Sequence, residues 1–154
     1  ESSNVFLEGG ELYIAKVSEG RYQGYFDDLS NKRIIGILGY HYGFADFNAD
    51  EEYLKNKFNM GFTTSNMGSI EMIVNGRGDV AVVTKSYLSR YTKDRPEILS
   101  QLLISEKFDQ IYQHAILVRK GINPSVTEIN FLLDKMKSNK TLRKIFLKYG
   151  IYKK

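Results

Sequence analysis

The chain has 154 residues, 42% apolar and 26% charged, the balance of a globular protein with a sizeable core in one domain or a two-lobed one. It has no Cys, which excludes disulfides, thiolate catalysis and thiolate zinc sites, and no apolar run approaches the roughly 20 residues of a membrane span. The net charge of +4 is uneven: residues 120–154 hold nine Lys/Arg against two Asp/Glu, a net +7, which leaves the remainder at −3. A basic tail can serve nucleic acid or an anionic membrane, and a solvated helix face explains it equally without a partner. The sequence opens Glu1-Ser2-Ser3-Asn4 with no initiator Met and no leader, which reads as a processed chain or a piece of a longer one.

Residues 5–17 read as one or two strands carrying Leu12, Ile14 and Val17, interrupted at Gly9-Gly10. Residues 22–30 read as loop. Ile34, Ile35, Ile37 and Leu38 mark a buried strand, followed at once by Gly39-Tyr40-His41-Tyr42-Gly43. A glycine-flanked loop between a buried strand and a helix is a good ligand position, because the helix aims free backbone N–H groups and its positive dipole end there. That helix is expected over 50–58, capped by Asn48 or Asp50, with Leu54 and Phe58 on its buried face. A short strand over 60–64 leads to a second strand-to-helix turn at Ser65-Asn66-Met67.

The chain is organised around residues 69–84. Ile70, Ile73 and Val74 recur at helical spacing. Gly76 and Gly78 are expected to supply the positive φ of a helix exit and a sharp turn. Val80-Ala81-Val82-Val83 is an unbroken apolar run, as in a strand covered on both faces of a parallel sheet. Thr84-Lys85-Ser86 is a third strand-to-helix turn, and the helix after it, with Tyr87, Leu88 and Tyr91, ends before Pro96. Strands are expected over 99–104 and over 112–119. Two helices close the chain: Ser125 and Glu128 have capping-box spacing ahead of Val126, Ile129, Leu132, Leu133 and Met136, and Leu142, Ile145, Phe146 and Tyr149 form a second stripe ended by Gly150.

Strands alternating with helices imply an α/β fold, a mostly parallel sheet with helices on both faces, followed by a C-terminal helical pair. Such sheets bind ligands beyond the carboxyl ends of their strands, where the loops 39–43, 64–67 and 84–86 converge. The expected division is an α/β ligand-binding lobe over 1–122 with strands that cross a hinge, and a helical segment over 123–154.

At this point the chain resembles a known family, the type II periplasmic solute-binding proteins of family 3, and specifically their second lobe. Asp28-Leu29-Ser30-Asn31-Lys32-Arg33-Ile34-Ile35-Gly36-Ile37 is similar to that lobe's entry, and Gly39-Tyr40-His41-Tyr42-Gly43 to its ligand loop. The stretch from Ile70 to Val83 is similar to its helix-turn-strand with Gly-Arg-x-Asp, that from Ala115 to Gly121 to its return strand, and that from Thr141 to Tyr149 to its closing helix. No single piece is specific; five in the right order are. The resemblance implies a non-enzymatic receptor of an ABC-type transport system, periplasmic or otherwise extracytoplasmic, without cofactor, that binds a small polar solute between two lobes and hands it to a membrane permease. It implies ligand contacts at Gly39, Tyr40, His41, Tyr42, Gly43, Ser65, Asn66, Met67, Thr84 and Lys85.

Two departures stand out. The acidic residue that commonly follows the family's central strand and holds the ligand's α-amino group is here Thr84, next to Lys85, so an ordinary α-amino acid is in doubt. The family's first lobe has no counterpart here, and the closing helices then need another cover, such as a second copy of the chain in a homodimer. Each site residue also has a plainer role: aromatic packing for Tyr40 to Tyr42, helix capping for Ser65 and Asn66, solvent for Lys85. The sequence shows no metal set, since His41 and His114 are far apart with no carboxylate at ligand spacing, and no nucleophile with a base and orienter. The Arg77-Gly78-Asp79 tripeptide is turn chemistry, with Asp79 capping its own turn. Alternative readings are the sensor domain of a membrane kinase or cyclase, the accessory domain of a murein-cleaving enzyme, and, through the tail alone, salt-dependent nucleic-acid binding.

Overall fold

A computed structural model describes residues 1–151. Among these residues are five strands, β1 (Leu7–Lys16), β2 (Ile34–Ile37), β3 (Met60–Thr63), β4 (Val80–Thr84) and β5 (Leu102–His114), six α-helices, α1 (Glu51–Phe58), α2 (Asn66–Val74), α3 (Lys85–Thr92), α4 (Pro96–Leu99), α5 (Val126–Ser138) and α6 (Thr141–Lys148), and two short 3-10 turns, Gln23–Phe26 and Gly43–Ala45. The strands form one sheet in the order β3-β2-β4-β1-β5. β2 runs parallel to both β3 and β4, and β1 runs antiparallel to β4, with Glu11 opposite Thr84 and Tyr13 opposite Val82.

The chain divides into two compact units. The larger, residues 10–110, has a core on each face of the sheet, and the pleat decides which residue goes to which. Tyr13, Ala15, Ile34, Val80 and Val82 join Phe26, Tyr42, Ala45 and Leu54 of α1 in one. Leu12, Ile14, Ile35, Ala81 and Val83 join Ile70 and Ile73 of α2 and Leu88 of α3 in the other. A strand with apolar residues at every position is thus used on both sides, as the Val80 to Val83 run requires.

The smaller unit comprises residues 1–9 and 111–154. Within it Ser2 and Leu117 form an antiparallel bridge, flanked by backbone bonds from Ser3 N to the Ile116 oxygen (2.9 Å) and from Val118 N to the Glu1 oxygen (2.8 Å). α5 begins with a complete capping box, Ser125 and Glu128 each bonding the other's backbone N–H. Gly150, two residues past the end of α6, has φ +72°. Leu133 and Phe146 are buried, while Leu117 (85%) and Phe131 (67%) are largely exposed.

Several expectations are corrected. The late strand expected over 112–119 ends at His114, and the polar stretch 105–110, passed over in the sequence, is the middle of β5. Gly76 does adopt φ +68°, but Gly78 is a glycine for closeness: a Cβ there would lie 2.4 Å from Ile35 Cγ1. Asp79 does not cap its own turn; its carboxylate accepts from Arg33 N (2.8 Å) and its own N–H donates to the Arg33 oxygen (2.9 Å), which aligns β4 beside β2.

Candidate functional site

Because β2, β3 and β4 are parallel neighbours, their carboxyl ends lie along one edge of the larger unit, and the loops 38–43, 64–67 and 84–86 leave from that edge. The loops are fastened to one another. Leu38 N donates to the Thr63 oxygen (3.0 Å). The Thr63 hydroxyl lies 2.8 Å from that of Ser69 and 3.3 Å from the Gly36 oxygen. Ser65 caps α2 by accepting from Gly68 N (3.1 Å).

The junction of the second and third loops is a two-way clasp. The Asn66 side-chain oxygen accepts from Thr84 N (2.9 Å), and its amide nitrogen donates to Thr84 Oγ1 (3.2 Å). With its oxygen so engaged, the Thr84 hydroxyl donates onward to Glu11 Oε1 (3.0 Å). Glu11 is 7% exposed and was not singled out in the sequence, where Gly9-Gly10 marks only a break in a strand. The β1–β4 register places it: Glu11 opposite Thr84 puts both side chains on the same face at the same level.

Asp109 on β5 is a second group that sequence reasoning missed. Its carboxylate accepts from Gly43 N (2.8 Å), Phe44 N (2.9 Å) and the Tyr13 hydroxyl (2.7 Å), so it pins the first loop to the sheet. Burial, helped by the bonded Asp109 charge, holds the Tyr13 phenol far above its ordinary pKa.

The site residues read from the sequence now separate into groups. Ser65, Asn66 and Thr84 are joined in the network just described. Gly39, Tyr40, His41, Met67 and Lys85 lie exposed on the same edge. The His41 ring lies 5.8 Å from that of Phe47, which is itself exposed, and Lys85 Nζ sits 5.1 Å over the Phe108 ring.

Two of the expected contacts turn inward. Tyr42 is 2% exposed; its hydroxyl accepts from Ile37 N (2.6 Å) and donates to the Ile37 oxygen (3.1 Å), which closes the end of β2 from inside the core. Burial raises this phenol strongly as well. Gly43 spends its N–H on Asp109 and lies so close to β5 that a Cβ would stand 2.1 Å from the Asp109 carbonyl oxygen. The polar groups of both bond within the protein, where they hold the loop. Among the described residues no cluster of three or more acidic or His side chains could hold a metal ion, and no helix is long and apolar enough to cross a membrane.

No protein-family model and no curated protein matches the chain. Solved structures do. An ancestral cationic amino-acid solute-binding protein superposes with a TM-score of 0.68 at 17% identity, over 97% of this chain and 62% of that one. The L-cystine solute receptor of Neisseria gonorrhoeae, in its unliganded open conformation, gives 0.67 at 17%, over 97% and 60%. The GluR0 ligand-binding core of Nostoc punctiforme, in complex with L-glutamate, gives 0.66 at 17%, over 96% and 64%. The chain therefore spans about three fifths of the length of these proteins. Over that span it has the type II periplasmic solute-binding fold.

Proposed function

We propose that the chain is the larger part of an extracytoplasmic receptor that binds a small polar solute without transforming it, and that a permease of an ABC-type transport system receives the solute. The observation that carries this reading is the clasped edge: three parallel strands deliver their loops to one rim, and Asn66, Thr84 and Glu11 lock those loops in a fixed polar arrangement. Fixed donors and acceptors beside exposed aromatic side chains are what a small polar ligand requires. Solute-binding titles among the structures of like fold support the same class. In this reading Tyr40, His41, Ser65, Asn66, Met67, Thr84 and Lys85 face the solute, and Tyr42 and Gly43 shape the loop that carries the first two.

The exposed apolar side chains of the smaller unit, Leu117 and Phe131 foremost, are then the cover for a further lobe of the whole protein, or for a second copy of the chain. Calorimetric titration of the full-length natural protein against amino acids, dicarboxylates and polyamines tests the proposal. Binding of one class with saturable heat is expected. Silence across all three removes the receptor reading, and a membrane span in the flanking natural sequence favours a sensor over a transport receptor.

A further inference from the structure

We infer that the Gln23 side chain guards the free edge of the sheet, and that without it this edge pairs with the same stretch of a second copy of the chain. The inference stands apart from the receptor reading. β5 is the last strand in the sheet order, so one of its sides faces β1 and the other is an edge. The Val17 N–H donates to the Gln101 oxygen (2.8 Å) and the Tyr13 N–H to the Ser105 hydroxyl (3.0 Å). The odd-numbered residues of this stretch therefore face β1, and the even-numbered ones turn their backbone groups to the edge. Ile104 and Glu106 are two of these, and Gln23 holds both. Its amide nitrogen donates to the Ile104 oxygen (2.9 Å), and its amide oxygen accepts from Glu106 N (2.9 Å).

A side-chain amide offers a donor and an acceptor, as a peptide group does, so Gln23 serves β5 as one residue of a neighbouring strand would. The turn that carries it is anchored. Phe26, at the end of the 3-10 turn, is buried and stacks on the Tyr13 ring at 6.1 Å. Asp27 accepts from Lys107 Nζ (3.0 Å), a second tie from this segment to the same strand. Farther along, the first loop lies against β5 at Asp109. An open strand edge is a template for another strand, and Leu102-Leu103-Ile104 gives this one an apolar, β-prone character. A second copy fits it by symmetry. With two copies antiparallel about a two-fold axis at Ser105, Ile104 of one stands opposite Glu106 of the other. Each Glu106 N–H then meets the other copy's Ile104 oxygen, so the two groups that Gln23 occupies satisfy one another. Lys107 falls opposite Leu103 in this register, and no like charges are opposed.

The test is sedimentation velocity of the full-length natural protein and of its Gln23→Met variant over a concentration series, with exchange of the Glu106 amide followed by mass spectrometry. Met keeps the length of the side chain and removes both bonds. The variant is expected to self-associate at least about 10-fold more tightly than the wild type and, when dilute, to exchange the Glu106 amide about 5- to 10-fold faster, as the loss of one backbone hydrogen bond implies. Adding Glu106→Pro removes the edge N–H, a change that edge strands tolerate, and is expected to return association to the wild-type level. If Gln23→Met does not fold, as judged by circular dichroism, Gln23→Ala takes its place. A folded variant that associates no more tightly than the wild type overturns the inference. So does added association that Glu106→Pro leaves in place, which assigns the contact to another surface. Either result leaves the receptor reading intact.

Discussion

Substituting Gly43 by Ala tests how the first loop is held. The change adds one methyl group and demands no unusual backbone angle, so propensity alone predicts a small gain. The structure predicts the opposite. The new Cβ would stand 2.1 Å from the Asp109 carbonyl oxygen and 3.1 Å from its carbon, atoms of a central backbone that no rotamer change can move aside. The loop must retreat by about 1 Å, and with it go the bonds from Gly43 N and Phe44 N to the Asp109 carboxylate. Each of these two hydrogen bonds to a charged group contributes about 1.5–3 kcal/mol and overpacking costs about 1–3 kcal/mol, so a loss of about 4 kcal/mol or more is expected. At a urea slope of about 2 kcal/mol per molar the unfolding midpoint falls by about 2 M or more. In an Asp109→Ala background only the steric part remains, and the cost of Gly43→Ala should drop by at least about 1.5 kcal/mol. Gly24→Ala, where the nearest atoms belong to the exposed Tyr22 ring, should stay within about 0.5 kcal/mol of wild type. A Gly43→Ala protein that unfolds within about 1 kcal/mol of wild type would refute the reasoning.

Tyr42→Phe should cost about 1–3 kcal/mol in urea unfolding, because it takes from the buried Ile37 N–H the hydroxyl it donates to and leaves the Ile37 carbonyl with Tyr40 N as a donor; a neutral result would mean that water or the backbone replaces it. Alkaline pH should destabilise the fold. Tyr13 and Tyr42 both keep their protons in the folded state above the ordinary phenol pKa of 10.0, so above that value the unfolded chain binds fewer protons and stability falls as pH rises, by about 1.4 kcal/mol per pH unit for each phenol. Thermal midpoints from pH 9 to 11, with phenolate absorbance followed in parallel, check this, and Tyr42→Phe should halve the slope. Ser125→Ala removes half of the α5 capping box and should cost the smaller unit about 1 kcal/mol, measured by the loss of helical ellipticity on heating.

The parts of the fold that were legible in the sequence are those where one short stretch holds all the information. Val80 to Val83 reads as a doubly covered strand because every residue is apolar, and the caps Asp50, Ser65 and Ser125 each bond a backbone N–H three residues ahead. What escaped notice depends on partners far along the chain. β5 runs through Ser105, Glu106 and Lys107, and nothing local distinguishes such a half-exposed strand from a loop. Glu11 gains its position only from register with Thr84, and Asp109 only from the loop that β5 passes. Tyr42 misleads for the converse reason. Between two glycines it reads as a loop residue facing solvent, yet the chain turns back there and its hydroxyl serves the strand that it has just left.

The boundaries of the larger unit have a consequence of their own. The unit is one uninterrupted segment that begins at Gly10 and finishes at Gln110, and these two ends meet: a Cβ on Gly10 would fall 2.9 Å from the Gln110 carbonyl oxygen. A segment whose entry and exit touch is a natural insert. It can be lifted out with a brief splice in place of the connecting strands, or transplanted into a foreign host between adjacent antiparallel strands, and the evolutionary exchange of such cassettes would leave the recipient's own hydrogen-bond ladder undisturbed.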